Sequence, residues 1–256
     1  MKSVVATPGA EGNLTIAELP EPNPDSNEAV IKVSCFSLNR GELRRAGQAA
    51  AGTQIGLDTV GVIDQPARDG SGPAVGTRVV GLSLRMQGWA ERVAIPTPAL
   101  APIPDTVSDA DAATLPVAGL TALYGLERCD RLLANRVLIT GPTGGVGYFA
   151  CQLAKAMGAH VSALVRREVK SDLLAGIGVD EIIVSPEGSG LDRYQPFQAI
   201  IDGVGGPVLG KLIQRLGSGG RAVIYGVSAG PKTTLAIRDL FASDGRVEGL
   251  FLYRRG

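Results

Sequence analysis

The chain has 256 residues, with 25 basic and 25 acidic side chains, one histidine, three cysteines and a formal net charge of zero. That length holds one large domain or two modest ones, and the balanced charge offers no electrostatic footprint for nucleic acid or an anionic membrane. No apolar run reaches the roughly 18 residues of a spanning helix; MKSVVATPGAEG lacks a signal-peptide pattern, and the isolated Cys35, Cys129 and Cys151 give no disulfide framework, so a reduced, cytoplasmic setting is expected.

Up to about residue 105, short β-type runs are broken by Gly and Pro. They are Val30–Val33, Val60–Ile63, Arg78–Leu82 and Arg92–Ile95, punctuated by PEPNPD, ARDGSGP and AIPTPALAPIPD. This is the pattern of a compact, mostly β domain, with a short helix over Arg40–Ala46. The stretch Asp105–Cys129 reads as helical, with Ser108 as N-cap ahead of DADAATL. Beyond it, strand and helix alternate. Strands are expected at Arg136–Thr140, His160–Val165, Glu181–Val184, Gln198–Asp202, Arg221–Tyr225 and Val247–Leu252, with helices over Val146–Met157 and Pro207–Leu216. Short, buried-type runs alternating with helices define an α/β protein with a doubly wound parallel sheet. The expected division is 1–107 and 108–256.

The run Val137–Thr140 leads directly into GPTGGVG (141–147), then the helix YFACQLAKAMG and a second strand, HVSALV. A dinucleotide site needs this order. Glycines let the backbone turn sharply toward a pyrophosphate, which rests on free amides at the helix start. Thr143, Gly144, Gly145, Val146 and Gly147 are therefore the candidate phosphate cradle, although Pro142 displaces the first glycine of a strict GxGxxG. The second strand ends SALVRRE, where an NAD enzyme usually places an acid and an NADP enzyme cations. Arg166 and Arg167, with Lys170 just after, favour NADPH, because a planar guanidinium matches a phosphate monoester. Two solvated arginines on an exposed loop remain the bland alternative.

With these residues in hand, the chain resembles the medium-chain dehydrogenase/reductase superfamily, in its zinc-free quinone oxidoreductase branch. The likeness runs through SLNRGELRRAG (37–47), GLDTVGVI (56–63), VGTRVVGL (75–82), GWAERVAIPTPALAPIPD (88–105), AATLPVAGLTALYGL (112–126), the glycine-loop segment 137–159, AIIDGVGG (199–206) and GGRAVIYG (219–226). It implies an N-terminal GroES-like substrate domain, a C-terminal Rossmann domain and an active site in the cleft between them. It also implies Thr121, Val204, Gly226 and Phe251 as further cofactor-binding positions. A homodimer follows from the same likeness, by pairing of the last Rossmann strand, Val247–Leu252, with its symmetry mate.

Departures from the family pattern narrow the expectation. Zinc-dependent members place Cys where this chain has Asn39 and a His–Glu pair where it has Leu57–Asp58; LPVAGL, where the third ligand falls, has no Cys or His, and the four-cysteine lobe of structural zinc is absent. A catalytic zinc needs three protein ligands, so no metal site is expected, and Cys35 reads as a buried small hydrophobe. Where many quinone oxidoreductases carry a tyrosine, this chain reads GQAAAG with Gln48. Asn39, and Arg40 as a cation able to polarise a carbonyl, are the candidate catalytic groups. Relatives continue past the segment matching VEGLFLYRRG (247–256), so a C-terminal return segment is expected to be missing. The leading function is NADPH-dependent hydride transfer to a quinone or α,β-unsaturated carbonyl, and the alternative is a non-catalytic NADPH-binding, redox-sensing or structural protein. A short-chain dehydrogenase is rejected, since none of the five tyrosines has Lys at the fourth following position.

Overall fold

The computed structural model describes residues 1–168 and 171–254 and resolves the chain into two compact units, Met1–Val117 and Ala118–Gly256. The first unit opens with β1 (Lys2–Ala6) and β2 (Leu14–Glu18), an antiparallel pair that the sequence reading does not assign. There follow β3 (Glu28–Cys35), α1 (Arg40–Ala46), β4 (Asp58–Gln65), β5 (Arg78–Leu82), β6 (Arg92–Pro96), β7 (Leu100–Pro102) and α2 (Asp109–Ala113). Among the described residues β3–β7 form one five-stranded antiparallel sheet in the order β6-β3-β4-β5-β7. Its core is made by Ala29, Ile31, Ile63, Val79, Val93 and Ile95. Burying each of these aliphatic side chains larger than Ala contributes roughly 1.5–3 kcal/mol.

Ser108 does cap α2, its hydroxyl accepting the Asp111 N–H at 3.1 Å. Ala112 and Ala113 of that helix pack with Val60 and Ile103. This packing ties α2 to the first sheet, so the units divide at Val117 and not at the 107/108 division read from sequence. The helical stretch expected over Asp105–Cys129 is present but divided. Pro116 has no N–H to donate, and the chain passes through a π-helical turn, Leu115–Gly119, before α3 (Leu120–Glu127).

In the second unit come β8 (Arg136–Thr140), α4 (Gly145–Ala156), β9 (His160–Val165), α5 (Ser171–Ala175), β10 (Glu181–Val184), β11 (Phe197–Asp202), α6 (Gly206–Ile213), β12 (Leu216–Ile224), α7 (Ile237–Ala242) and β13 (Arg246–Gly249). Among the described residues these strands form one six-stranded parallel sheet, ordered β10-β9-β8-β11-β12-β13. The chain works outward from β8 on one side and then returns to work outward on the other, which is the Rossmann order with its switch point between β8 and β11. Alternation along β8 sends Val137 and Ile139 to one core and Leu138 to the other. The first core receives Ala150, Cys151 and Ala154 of α4, and the second receives Leu209, Leu212 and Ile213 of α6. Apolar side chains on both faces are what a doubly wound sheet requires. The last strand is shorter than the expected Val247–Leu252: after Gly249 the chain turns, and Leu252–Arg254 form a short 3-10 helix.

Candidate functional site

The phosphate-cradle candidates stand at the carboxyl end of β8. Gly141 takes φ +62°, and the Gly144 N–H closes a turn onto the Gly141 carbonyl at 3.0 Å. Gly144 precedes the first helical residue of α4, with extended φ −92° and ψ 163°. The N–H groups of the first helical turn have no acceptor within the helix, so Gly145, Val146 and Gly147 present donors at its positive end. Thr143, Gly144 and Gly145 are exposed, whereas Gly147 is buried. A Cβ at Gly147 would lie 2.2 Å from the Gly141 carbonyl oxygen. Only glycine lets the helix start approach the loop so closely, which is the third role assigned to this motif.

Beside the loop, β11 ends in a fully enclosed carboxylate. Asp202 Oδ1 accepts the Thr140 hydroxyl at 2.7 Å and the Val204 N–H at 3.3 Å, and Oδ2 accepts the Gly205 N–H at 2.7 Å. Burial pushes the Asp202 carboxyl up, while these donors hold it back. Gly205 takes φ +64° and ψ −149°, a conformation open only to glycine, and leads into α6. This places Val204 half-buried at the carboxyl end of β11 and Gly226 half-buried just beyond β12. Ligands of open α/β sheets bind at this edge, beside the switch point.

The remaining cofactor candidates are more scattered. Arg166 and Arg167 are exposed directly past Val165, the carboxyl end of β9, which pairs with β8. Lys170 lies outside the described residues. Thr121 is buried within α3, which packs against α4. Phe251 is exposed beyond β13, two strands from β11, with its ring edge-on to Tyr253 at 5.1 Å. The structure thus gathers Thr143–Gly147, the two arginines, Val204 and Gly226 along one sheet edge; Phe251 follows the outermost strand at the same edge, two residues past Gly249, which pairs with Ile224, and Thr121 stands apart within α3.

In the first unit, Asn39 precedes α1 and is held by two carboxylates. Its backbone N–H donates to Glu42 Oε2 at 2.6 Å, and its side-chain amide donates to Asp58 Oδ2 at 2.7 Å. Asp58 also accepts the Ser37 hydroxyl and, at 2.8 Å, the Val117 N–H that the π-helical turn frees. Glu42 Oε1 accepts the Leu57 N–H at 2.6 Å. Both acids are fully enclosed. Burial raises Asp58 and lifts Glu42 to about 7, against the pull of their hydrogen bonds. Asn39, Leu57 and Asp58, which the family resemblance sets at zinc-ligand positions, are therefore knitted to one another, and among the described residues no group of three His, Cys, Asp or Glu is placed to hold a metal ion. Arg40 begins α1 and is exposed. Trp89 is a core residue whose indole N–H donates to the Ser37 carbonyl at 3.0 Å. Cys35 is half-buried, and burial pushes its thiol up.

The sequence reading did not single out Thr140, Asp202 or Glu42. An acid closing an apolar strand just ahead of GVGG was the available signal for Asp202, and the spacing Asn39-x-x-Glu42, a capping-box pattern, was the signal for Glu42.

A parallel sheet in this order, with a glycine loop on its first strand and an antiparallel GroES-like unit ahead of it, defines a two-domain fold of the dehydrogenase type. Residues 145–256 match the zinc-binding dehydrogenase family; positions 39, 57 and 58 lie outside that match. A phenolphthiocerol/phthiocerol polyketide synthase of Mycobacterium tuberculosis is 29% identical over 86% of this chain, which spans only 10% of that protein. Acryloyl-coenzyme A reductase of Metallosphaera sedula is 28% identical, over 88% of this chain and 76% of the reductase. The quinone oxidoreductase of Thermus thermophilus, solved alone and with NADPH, superposes with a TM-score of 0.82 at 28% identity, over 100% of this chain and 83% of that one. The chain belongs to the medium-chain dehydrogenase/reductase superfamily, in its quinone oxidoreductase-like branch. Among the described residues no helix is long and apolar enough to cross a membrane.

Proposed function

We propose that the protein is an NADPH-dependent oxidoreductase that transfers hydride to a quinone or an α,β-unsaturated carbonyl without zinc. The observation that carries this is the sheet edge of the second unit. An exposed glycine loop opens α4 there, and Arg166 and Arg167 follow the adjacent strand. Such an edge fits a dinucleotide: free helix-start amides for the pyrophosphate, exposed glycines that leave room for it, and two guanidinium groups for a 2′-phosphate. NADPH in the related quinone oxidoreductase and an unsaturated thioester as the named substrate of acryloyl-coenzyme A reductase support the same reading. When bound, the reduced nicotinamide supplies the hydride.

What the first unit contributes is orientation. An amide has two N–H donors, and Asp58 takes one from Asn39. In this reading the other is directed to the substrate oxygen, which it stabilises as negative charge develops there. A conjugated acceptor spreads that charge over an enolate or hydroquinone anion, so it needs less stabilisation than the localised alkoxide from a simple ketone. Solvent supplies the final proton. In the same reading the chain forms a homodimer through the edge strand β13, since an open strand edge is otherwise an aggregation hazard.

The test is NADPH oxidation by purified protein against a panel of quinones, enones, unsaturated acyl thioesters, simple ketones and, in reverse, alcohols. Turnover confined to the conjugated acceptors is expected. Robust alcohol oxidation would overturn the mechanism, and NADPH binding without turnover on any acceptor would favour a non-catalytic protein.

A further inference from the structure

Thr140 and Asp202 are only 1% and 0% exposed, so neither can touch a ligand. Their contacts nevertheless run straight into the two loops of the sheet edge. The Thr140 hydroxyl donates to Asp202 Oδ1 and accepts the Gly203 N–H at 3.0 Å. With the Val204 and Gly205 N–H groups on the Asp202 carboxylate, three successive backbone donors turn inward onto this pair. The outward side of the same turn is bonded as well. Ala229 N–H donates to the Val204 carbonyl at 2.8 Å, and Gly206 N–H donates to the Gly230 carbonyl at 3.0 Å. Thr140 is also the residue directly before Gly141, whose carbonyl oxygen is what Gly147 packs against.

A buried carboxylate with no ion pair among the described residues is an unfavourable way to fill a core, and an apolar side chain would fill it at less cost. What only the hydroxyl–carboxylate pair supplies is a fixed orientation for the 203–205 backbone relative to the glycine loop. We propose that Thr140 and Asp202 are positioning residues for the dinucleotide, tying the turn after β11 to the glycine loop so that the two bind it as one pre-formed surface. This rests on the reading that the second unit binds NADPH. Pre-organisation of this kind raises affinity by removing the cost of ordering each loop on binding.

The experiment is calorimetric titration of NADPH into wild-type protein, Thr140→Val, Thr140→Ser and Leu209→Ala, with the thermal midpoint recorded for each. Valine keeps the volume and removes the hydroxyl from both bonds; serine keeps them; Leu209→Ala lowers stability by thinning the core on the same face of the sheet, which holds Leu138 and Ile200, without touching either bond. We expect Thr140→Val to weaken NADPH about tenfold, Thr140→Ser to stay within about threefold of wild type, and Leu209→Ala to lose stability with unchanged affinity. Should Thr140→Val fail to fold, Asp202→Asn carries the same expectation, because its amide nitrogen cannot accept one of the three donors. Binding by the tie variant as tight as wild type overturns the proposal. So does a loss no larger than that of Leu209→Ala. Failure of the wild-type protein itself to bind NADPH overturns the reading of the preceding subsection instead.

Discussion

Asp58 opens β4 in the first unit and Asp202 closes β11 in the second; both are fully enclosed, and among the described residues neither has an ion pair. Their donors differ. Asp58 gathers two side chains, from Ser37 and Asn39, along with the Val117 N–H. Asp202 gathers the Thr140 hydroxyl and the backbone of the loop that follows it. The first carboxylate thus orients a polar side chain, and the second orients main chain. That division suits the two proposed tasks: a single aimed donor for a substrate oxygen, and lengths of backbone for a dinucleotide. The comparison holds only if damage to the second cluster is read in cofactor affinity and damage to the first in turnover or in pH-dependent stability.

The largest effect is expected at Gly147. Alanine there puts Cβ 2.2 Å from the Gly141 carbonyl oxygen, so the loop has to move. NADPH affinity should fall by on the order of a hundredfold or more, since the binding amides and the cradle shift together. Titration showing an affinity within threefold of wild type would place the pyrophosphate elsewhere.

Next is the pH dependence of the first cluster. Glu42 lies at about 7 in the fold against 4.5 as its ordinary value, chiefly through burial. Between those pH values the folded state holds more proton than the unfolded state, so the stabilising effect of the protonated acid is complete below 4.5 and is lost as pH rises through 7. Roughly 3 kcal/mol should be lost across that window. Thermal midpoints of wild type and Glu42→Gln from pH 4 to 8 isolate it: the difference between them should change with pH, and parallel curves would show that Glu42 does not titrate in the fold.

Smaller again is Asn39→Ala. It should lower kcat/KM for the conjugated acceptor about tenfold and leave NADPH affinity unaltered, because one hydrogen bond to the developing charge is removed. An equal loss in NADPH affinity would erase the contrast between the clusters. The smallest effect is none: chelators should leave turnover intact, and stoichiometric zinc on elemental analysis would contradict that.

Where local pattern decides structure, the chain was readable. Arg40–Ala46, Arg78–Leu82, Arg136–Thr140, His160–Val165 and Glu181–Val184 have the bounds expected of them. The four strands among them are short β-type runs, Arg40–Ala46 carries a capping-box pattern, and in most of them tertiary contacts agree with local preference. The β1–β2 pair was missed because both runs are only five residues long and each is defined by its antiparallel partner, a register that local pattern does not show. Helix α7 was missed for another reason, with Ile237 and Phe241 both exposed and no inward apolar stripe. Strand β12 starts at Leu216 rather than Arg221 because its register with β11 shifts between Phe197 and Ala199, a bulge that the glycines of LGSGG conceal. In the site, the glycine loop announces itself over seven consecutive residues. The pair Thr140–Asp202 does not, because its members lie 62 residues apart and only the sheet brings them together.

In the proposed reading the edge of the second sheet is built for a dinucleotide bearing a 2′-phosphate. The most direct test is parallel titration of NADPH and NADH into wild-type protein and Arg166→Asp. A charge-assisted contact contributes about 1.5–3 kcal/mol, so wild type should favour NADPH by at least ten- to hundredfold, and Arg166→Asp should invert the preference. Equal affinity of the wild-type protein for NADH and NADPH would contradict the account.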